Sequence, residues 1–270
     1  MGASFLIMPQ QVCIFCERGR PLVTITKEHL FSRWVDRILT PELLGPDRSF
    51  ERTTAGPDGV ATSKTWPAEV IAAIEAAAVC GASPDGCNGL WMSALGGQVK
   101  HLLEPMTLGK PKTLTPAEQL TIATWAAMKS MVLEYVWGSE QVIVMPQAAR
   151  TFVFDHQRPP ESMQIRIAAI ESQGRPALIF RRVYQLRLKS SSNAALPGFA
   201  SCSTFVLGCF VVQTYGTSTL SPAVPPHPHG RSYLVINPPP GDDISWPPPV
   251  LLDDAGLDRF AHPLQPVTGD

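Results

Sequence analysis

The sequence predicts an α+β protein, in which a small N-terminal module leads through a long helix into an antiparallel β-rich C-terminal domain. The segment Thr115-Pro116-Ala117-Glu118 is typical of a helix start, with a capping threonine, proline at the first helical position and a glutamate that completes a capping box. From Gln141 onward, short runs rich in β-branched and aromatic residues alternate with Gly, Pro and Ser. We therefore place the N-terminal module at residues 1–105, the connecting helix within 106–140, and the β-rich domain, which ends in a proline-rich tail, at 141–270.

The N-terminal module is expected to contain a hairpin and helices around an inserted segment. The β-rich runs Val12–Phe15 and Leu22–Thr26 are predicted to form the hairpin, and a helical spacing of apolar residues follows His29. An insertion at about 40–78 is predicted to begin as irregular chain and to end as an alanine-rich helix over Ala68–Ala78. A second helical stripe covers Asn88–Leu103.

The C-terminal domain is expected to be a sheet or barrel that a short helix at 253–261 closes. Its predicted strands are the β-rich runs at 142–145, 151–154, 163–170, 177–188, 203–215 and 233–236.

Composition limits the classes of function. The chain has 270 residues, 44% of them hydrophobic, a mean hydropathy of +0.05 and a net charge of −1. These values are typical of a globular protein and give no overall basic surface for nucleic acid, so any such contact must come from a local patch. The longest apolar segment, Leu120–Val136, carries Lys129 and Glu134, which argues against a membrane span, and no targeting segment is evident. A cytoplasmic location is therefore expected.

Four of the six cysteines form two pairs, Cys13 with Cys16 and Cys80 with Cys87. In a reducing compartment, cysteines indicate metal sites or free thiols rather than disulfides. The first pair has the C-x2-C spacing of a zinc knuckle, whereas the second is C-x6-C with glycine, proline and aspartate in its loop. Spacing alone leaves two interpretations of equal weight, a shared zinc ion and ordinary thiols.

Glu28 and His29 follow the predicted hairpin, and Asn88 follows the last of these cysteines at a predicted helix start. A histidine at the end of a strand can act as a general base that activates water. A carboxylate and an amide can together hold a divalent ion against a phosphate. The alternative from the residues alone is that His29 is a polar residue before a helix and Asn88 an N-cap.

The segments CIFC, TKEHLFSRWV and VC…CNGLWMSALGGQVKHLL together resemble the HNH-type nuclease-like proteins, which have a ββα-metal, treble-clef zinc fold. The resemblance covers residues 12–35 and 79–104. It implies a structural zinc ion on Cys13, Cys16, Cys80 and Cys87. It further implies His29 as the general base, Asn88 as a ligand of a catalytic Mg²⁺-type ion, and Glu28 as a second ligand of that ion or an orienting group.

The chain departs from the family pattern at four points, one of which is Leu90, where the family has glycine. The second cysteine pair is longer by four residues, glycine at position 89 replaces a second asparagine, and Gly96 stands where the family has glutamate. The expected function is metal-dependent hydrolysis of phosphodiester bonds in DNA. The alternative is an inactive zinc-stabilised protein that binds nucleic acid or protein on the same scaffold.

Basic residues near the hairpin are the candidate DNA contacts, namely Arg18, Arg20, Lys27 and Arg33. No P-loop or dinucleotide-binding glycine motif occurs, so no nucleotide cofactor is expected. The sequence indicates no oligomeric state.

Overall fold

The computed structural model has a mixed α+β architecture, as predicted. It describes residues 12–31, 34–39, 49–55, 61–67, 74–81, 86–136, 142–171, 178–189, 195–219 and 230–261. The elements of the N-terminal part are β1 (Ile25–His29), α1 (Trp34–Ile38), β2 (Ser49–Ala55), β3 (Ala61–Pro67), β4 (Glu75–Cys80), a π-helical turn (Asn88–Met92), α2 (Ser93–Thr107) and β5 (Lys112–Leu114). The remaining elements are α3 (Pro116–Leu133), α4 (Gln147–His156), β6 (Gln164–Ala169), β7 (Leu178–Lys189), β8 (Ala195–Leu207), β9 (Phe210–Thr217), β10 (Tyr233–Asn237), β11 (Ile244–Trp246) and α5 (Asp254–Ala261).

The central helix α3 begins where the capping box was predicted. The Thr115 hydroxyl accepts a hydrogen bond from the backbone N–H of Glu118 at 3.3 Å, and the Glu118 carboxylate accepts one from the backbone N–H of Thr115 at 2.9 Å. Every residue from Ile122 to Leu133 is buried, and Trp125 is fully enclosed. A helix that is buried on all sides forms the core of the molecule, and α3 packs against α2, α4 and the sheet.

The main sheet has seven strands in the order β10-β6-β9-β8-β7-β2-β3. All neighbouring strands are antiparallel except β2 and β7, which run parallel. Strands β6 and β9 are buried along their whole length because helices cover both faces of the sheet there. One face contributes to the large core around α3, and the other packs against Leu257 and Phe260 of α5.

The predicted N-terminal hairpin is wrong in its pairing. Strand β1 pairs with β4, so that Ile25 lies opposite Cys80 and His29 opposite Glu75. Within the described residues 12–31, an isolated bridge joins Val12 to Gly19. The polar connection between the two predicted strands is therefore a compact cysteine turn rather than a hairpin loop.

The inserted segment is also more regular than predicted. Residues 49–55 and 61–67 form the antiparallel pair β2 and β3, which extends the main sheet at its edge. The predicted helix over Ala68–Ala78 is wrong for residues 75–78, which belong to β4, while residues 68–73 lie outside the described part of the chain. Pairing with β1 outweighs the helical preference of alanine at these positions.

The predicted strands at 163–170, 177–188 and 233–236 are confirmed over their described residues, and the run at 203–215 divides into the end of β8 and most of β9, which are joined by a turn at Gly208 and Cys209. Residues 151–154, which have a β-rich composition, lie within the helix α4, and residues 142–145 form no strand. The predicted short helix at the C-terminal end is confirmed as α5. Helix α2, preceded by its π-helical turn, confirms the predicted stripe that starts at Asn88.

The large apolar core is continuous from the N-terminal part to the sheet. Phe31, which follows β1, makes an edge-to-face contact with Phe205 of β8 at a ring-centroid distance of 6.1 Å. The same cluster contains Phe15 of the cysteine turn and Trp246 of β11. The division into domains that the sequence suggests stays a prediction.

Candidate metal centre

The structure brings the four cysteines of the two pairs together. Cys13 and Cys16 lie in the turn before β1, Cys80 is the last residue of β4, and Cys87 immediately precedes the π-helical turn. Their sulfur atoms all lie within 4.8 Å of one another. A cluster of four cysteines at this separation can bind a metal ion such as zinc.

The distances between the sulfurs agree with tetrahedral coordination. Cys13 Sγ lies 3.8 Å from Cys87 Sγ, and Cys16 Sγ lies 3.6 Å from Cys80 Sγ. Zn–S bonds of about 2.3 Å place two sulfurs of a tetrahedron about 3.8 Å apart. All four cysteines are free thiols, so no disulfide competes for these sulfurs.

Backbone contacts fix the first pair against β4. The N–H of Cys13 donates to the Arg18 carbonyl at 2.8 Å, which folds the segment into a tight turn with Glu17 in the left-handed region at φ 55°. The N–H of Ile14 donates to the carbonyl of Ala78 at 3.0 Å. The turn therefore presents its sulfurs beside Cys80.

A close approach of two glycines brings the second pair together in spite of its longer spacing. A Cβ atom at Gly86 would overlap the carbonyl oxygen of Gly81. The backbone at the two ends of the loop between Cys80 and Cys87 therefore forms a constriction, a contact so close that only glycine fits at position 86. The backbone N–H of Cys87 then donates to Cys80 Sγ at 3.1 Å. The residues between the two glycines, 82–85, lie outside the described part of the chain.

The protonation of the cluster suits a site for a cation. The hydrogen bond that Cys13 shares with Cys87 lowers the pKa of Cys13 to about 4, and the backbone N–H groups of Cys16, Cys80 and Phe15 act in the same direction against the effect of burial. Burial raises the pKa of Cys80 to about 11, and the shared hydrogen bond raises the pKa of Cys87. Cys13 therefore loses its proton most readily, and binding of a metal ion, which needs thiolates, would release protons from Cys80 and Cys87.

Packing and charge complete the surroundings of the cluster. Cys13, Cys80 and Cys87 are fully buried, and the rings of Phe15 and Trp91 meet edge to face at 5.3 Å. Arg18 Nε donates to Cys16 Sγ at 3.3 Å, and this contact raises the pKa of Arg18. A cation beside a thiolate cluster partly compensates its negative charge.

Glu28, a predicted metal ligand, lies on the inner face of β1. Its carboxylate accepts a hydrogen bond from Lys129 Nζ of α3 at 2.7 Å, and Lys129 also donates to the carbonyl of His29 at 2.8 Å. The side chain of Lys129 is 2% exposed and that of Glu28 is 11% exposed. This buried ion pair fixes β1 to the central helix.

His29 lies on the other face of the same strand, because side chains alternate along a strand. Its Nδ1 atom lies 3.5 Å from Oε1 of Glu75, the residue directly opposite on β4. The other oxygen of Glu75 lies 3.1 Å from Nζ of Lys27. The half-exposed histidine is therefore held by a carboxylate that the sequence pattern did not identify.

The predicted catalytic residues do not converge as expected. Asn88 is half-buried at the start of the π-helical turn, beside the cysteine cluster. His29 is at the opposite end of the β1–β4 pair from Cys80, and Glu28 and His29 face opposite sides of β1. The structure therefore places the three residues in three different surroundings.

The basic residues proposed to contact DNA are only partly described. Arg20 and Lys27 are exposed, whereas Arg18 is half-buried against Cys16. Arg33 lies outside the described part of the chain. Cavities of about 200 to 600 Å³ occur at α5 and near α3, and neither the cysteines nor His29 line them.

Two candidate functional residues, Glu75 and Lys129, were not predicted from the sequence. Glu75 lies within a segment that was predicted as helix, and only the pairing of β4 with β1 places it opposite His29. Lys129 was interpreted only as a charge that argues against a membrane span. Its position among apolar residues of α3 is the signal that predicts a buried ion-pair partner.

Over the residues that the structure describes, no helix combines the length and apolar character needed to cross a membrane. No family model, no curated protein and no solved structure matches this chain.

Proposed function

We propose that the cysteine cluster binds one zinc ion as a structural centre. The observation that supports this is the arrangement of four sulfurs within 4.8 Å of one another, two of the separations being 3.6 and 3.8 Å, with three of the four cysteines fully buried. Sites with four protein ligands leave no position for substrate, so the ion would stabilise the fold rather than take part in chemistry.

Elemental analysis of the purified protein tests the identity of the ion. We expect one equivalent of zinc in the parent and its loss in Cys87→Ser, with Cys209→Ser, a half-exposed cysteine outside the cluster, as the matched control. Folded parent protein without zinc, prepared in zinc-containing medium, would contradict the assignment.

We further propose that the chain is an HNH-type endonuclease that hydrolyses phosphodiester bonds in DNA. The observation that carries this proposal is the pair formed by His29 and Glu75, at the end of a strand pair whose other end is Cys80. A carboxylate on Nδ1 orients an imidazole, and the opposite nitrogen then serves as a general base.

In this mechanism, His29 takes a proton from a water molecule that attacks the phosphorus in line with the leaving oxygen. The bond between the phosphorus and that oxygen breaks, and the leaving oxygen takes a proton from solvent. Glu75 stabilises the imidazolium that forms. Arg20 and Lys27, both exposed near β1, are assigned to phosphate contacts that position the strand.

The predicted Mg²⁺ site on Glu28 and Asn88 does not fit the described side chains. The Glu28 carboxylate is paired with Lys129 on the inner face of β1, and Asn88 lies beside the cysteines. No step of the mechanism is therefore assigned to such an ion.

Nicking of supercoiled plasmid tests the catalytic proposal. We expect activity in the parent and a reduction of about 10²- to 10⁴-fold in His29→Ala, the usual contribution of a general base. Glu75→Gln should reduce the rate less, and His101→Ala, an exposed histidine of α2, should leave it unchanged. Assays with Mg²⁺, with Mn²⁺ and with chelator show whether a further ion is needed. Equal nicking by parent and His29→Ala would refute the role of His29.

The ion pair between Glu28 and Lys129 favours a second candidate, an inactive protein that binds nucleic acid on the same scaffold. A carboxylate occupied by a buried lysine suits a structural role at the position where an active enzyme would have a metal ligand. In this case the parent would bind labelled DNA in an anisotropy assay without cleaving it. Affinity would fall with rising salt and with Lys27→Gln.

A further inference from the structure

A cavity of about 390 Å³ lies on the face of the main sheet that α5 covers. It opens where β6 and β10 meet the helix, away from the cysteine cluster. Its volume is in the range of sites for small molecules. The residues of the wall that matter here are Arg166, Ser232, Tyr233, Asp253, Arg259 and Phe260.

Arg166, in the middle of β6, is a buried cation on this wall. It is only 6% exposed, its Nε donates to Gln164 Oε1 at 3.0 Å, and its guanidinium lies 5.2 Å from the ring centroid of Tyr233. Among the described residues no carboxylate forms an ion pair with it. The nearby Asp253 uses its Oδ1 to accept a hydrogen bond from the backbone N–H of Gly256, in the first turn of α5.

A buried charge without a counter-charge is unfavourable. Two hydrogen-bond donors near Arg166 also lack acceptors in the described part of the chain. Nε2 of Gln164 and the hydroxyl of Tyr215, directly opposite on β9, are buried and find no partner within the described ranges. Burial lowers the pKa of Arg166 and raises the pKa of Tyr215 to about 12, so the tyrosine keeps its proton. The cavity wall therefore holds one buried cation that an anion would satisfy, and two donors without described partners lie nearby on β6 and β9.

The rest of the cavity indicates what the anion is attached to. The rings of Tyr233 and Phe260 lie 6.1 Å apart at 49° and form an aromatic wall. Arg259 is exposed beside it and adds a second positive charge, and Ser232 offers a hydroxyl. Aromatic walls with one or two arginines are suited to flat molecules with an acidic group.

We propose that this cavity binds a small molecule that contains a flat ring and one phosphate or carboxylate group. The acidic group pairs with Arg166, and the ring lies against Tyr233 and Phe260. The site is independent of the proposed nuclease function, and it assigns a ligand to the C-terminal sheet.

Isothermal titration calorimetry on the full chain tests this inference with three compounds of defined chemistry. Adenosine 5′-monophosphate carries a phosphate, benzoate carries a carboxylate, and adenosine is the neutral control. We expect at least one of the two anions to bind and adenosine to bind much more weakly than the monophosphate. The preferred anion then distinguishes the two acidic groups. Failure of both anions at millimolar concentration, or equal binding of adenosine and its monophosphate, overturns the proposal.

Variants assign the binding to the cavity. Arg166→Gln should weaken the bound anion by about 10- to 100-fold, because it removes a hydrogen bond between charged groups. Arg259→Gln should weaken it by a smaller factor, and Arg231→Gln, an exposed arginine that does not line the cavity, should leave it unchanged. Parental affinity in folded Arg166→Gln overturns the proposal. If that variant does not fold, parental affinity in Arg259→Gln overturns it instead.

Discussion

Gly86→Ala provides a sharp test of how the longer cysteine pair closes around a metal ion. The added methyl group would overlap the carbonyl oxygen of Gly81, so either Gly81 or Gly86 must move. Cys80 and Cys87 are the immediate neighbours of these glycines, and their sulfurs must stay within about 0.2 Å of their ideal distance to the metal. The matched control is Gly97→Ala in α2, where a Cβ atom meets nothing within 4 Å.

The expected loss follows from the position of Gly86, which supports two ligands without being one. Changes in groups that orient metal ligands weaken binding by about 10- to 100-fold, and we expect Gly86→Ala to fall in this range. Gly97→Ala should keep the parental affinity and stabilise the protein by about 0.5–1 kcal/mol, because glycine inside a helix is unfavourable. A competition titration with a chromophoric zinc chelator measures the affinity, and thermal unfolding measures the stability. Parental zinc affinity in Gly86→Ala would refute the role of the constriction.

Three further predictions concern ionised groups. Lys129→Met should lower the free energy of unfolding by about 3–5 kcal/mol, because it leaves the Glu28 carboxylate buried without a partner. Urea denaturation measures this loss, and most of it should be recovered in the double variant that also carries Glu28→Gln. The Glu134 carboxylate lies 2.9 Å from Arg150 Nη2 and 3.3 Å from Arg181 Nη2, and both guanidinium groups are buried. Glu134→Gln should therefore lower the free energy of unfolding by a similar amount in the same measurement, and an unchanged midpoint would count against this buried ion-pair network. Burial raises the pKa of Glu118, but the backbone N–H of Thr115 and the ammonium of Lys112 outweigh it and the pKa is lowered. Its contribution is therefore present above pH 4.5 and is lost as the pH falls further, so Glu118→Gln should destabilise the protein by about 0.5 kcal/mol at pH 7, and its difference from the parent should shrink as the pH falls below 4.5.

The elements that the sequence predicted well have local signals. The capping box at Thr115 depends on residues within one turn of the helix, and the first cysteine pair depends on a turn of a few residues. The structure agrees with both predictions because few distant contacts compete with such signals.

The wrong predictions have a common physical cause in long-range pairing. Residues 75–78 have a helical composition, yet hydrogen bonds to β1 make them a strand. Glu75 became a candidate only through that pairing, because no spacing in the sequence connects it to His29. The run at 151–154 is β-rich in composition but packs as part of α4 between Pro146 and a left-handed Gln157. Such outcomes are decided by tertiary contacts rather than by intrinsic propensity.

The parallel pairing of β2 with β7 has a consequence for the order of folding. Glu51 lies opposite Leu178 in this pair, so the chain between these two residues must close into a long loop before the two strands can form their hydrogen bonds. Contacts between such distant positions form slowly, because the entropy of loop closure is lost before the hydrogen bonds are gained. During synthesis, the β2–β3 pair leaves the ribosome long before its partner strand exists. We expect this pair to be the last part of the sheet to dock, and its unpaired edge to be the surface most exposed to aggregation until then.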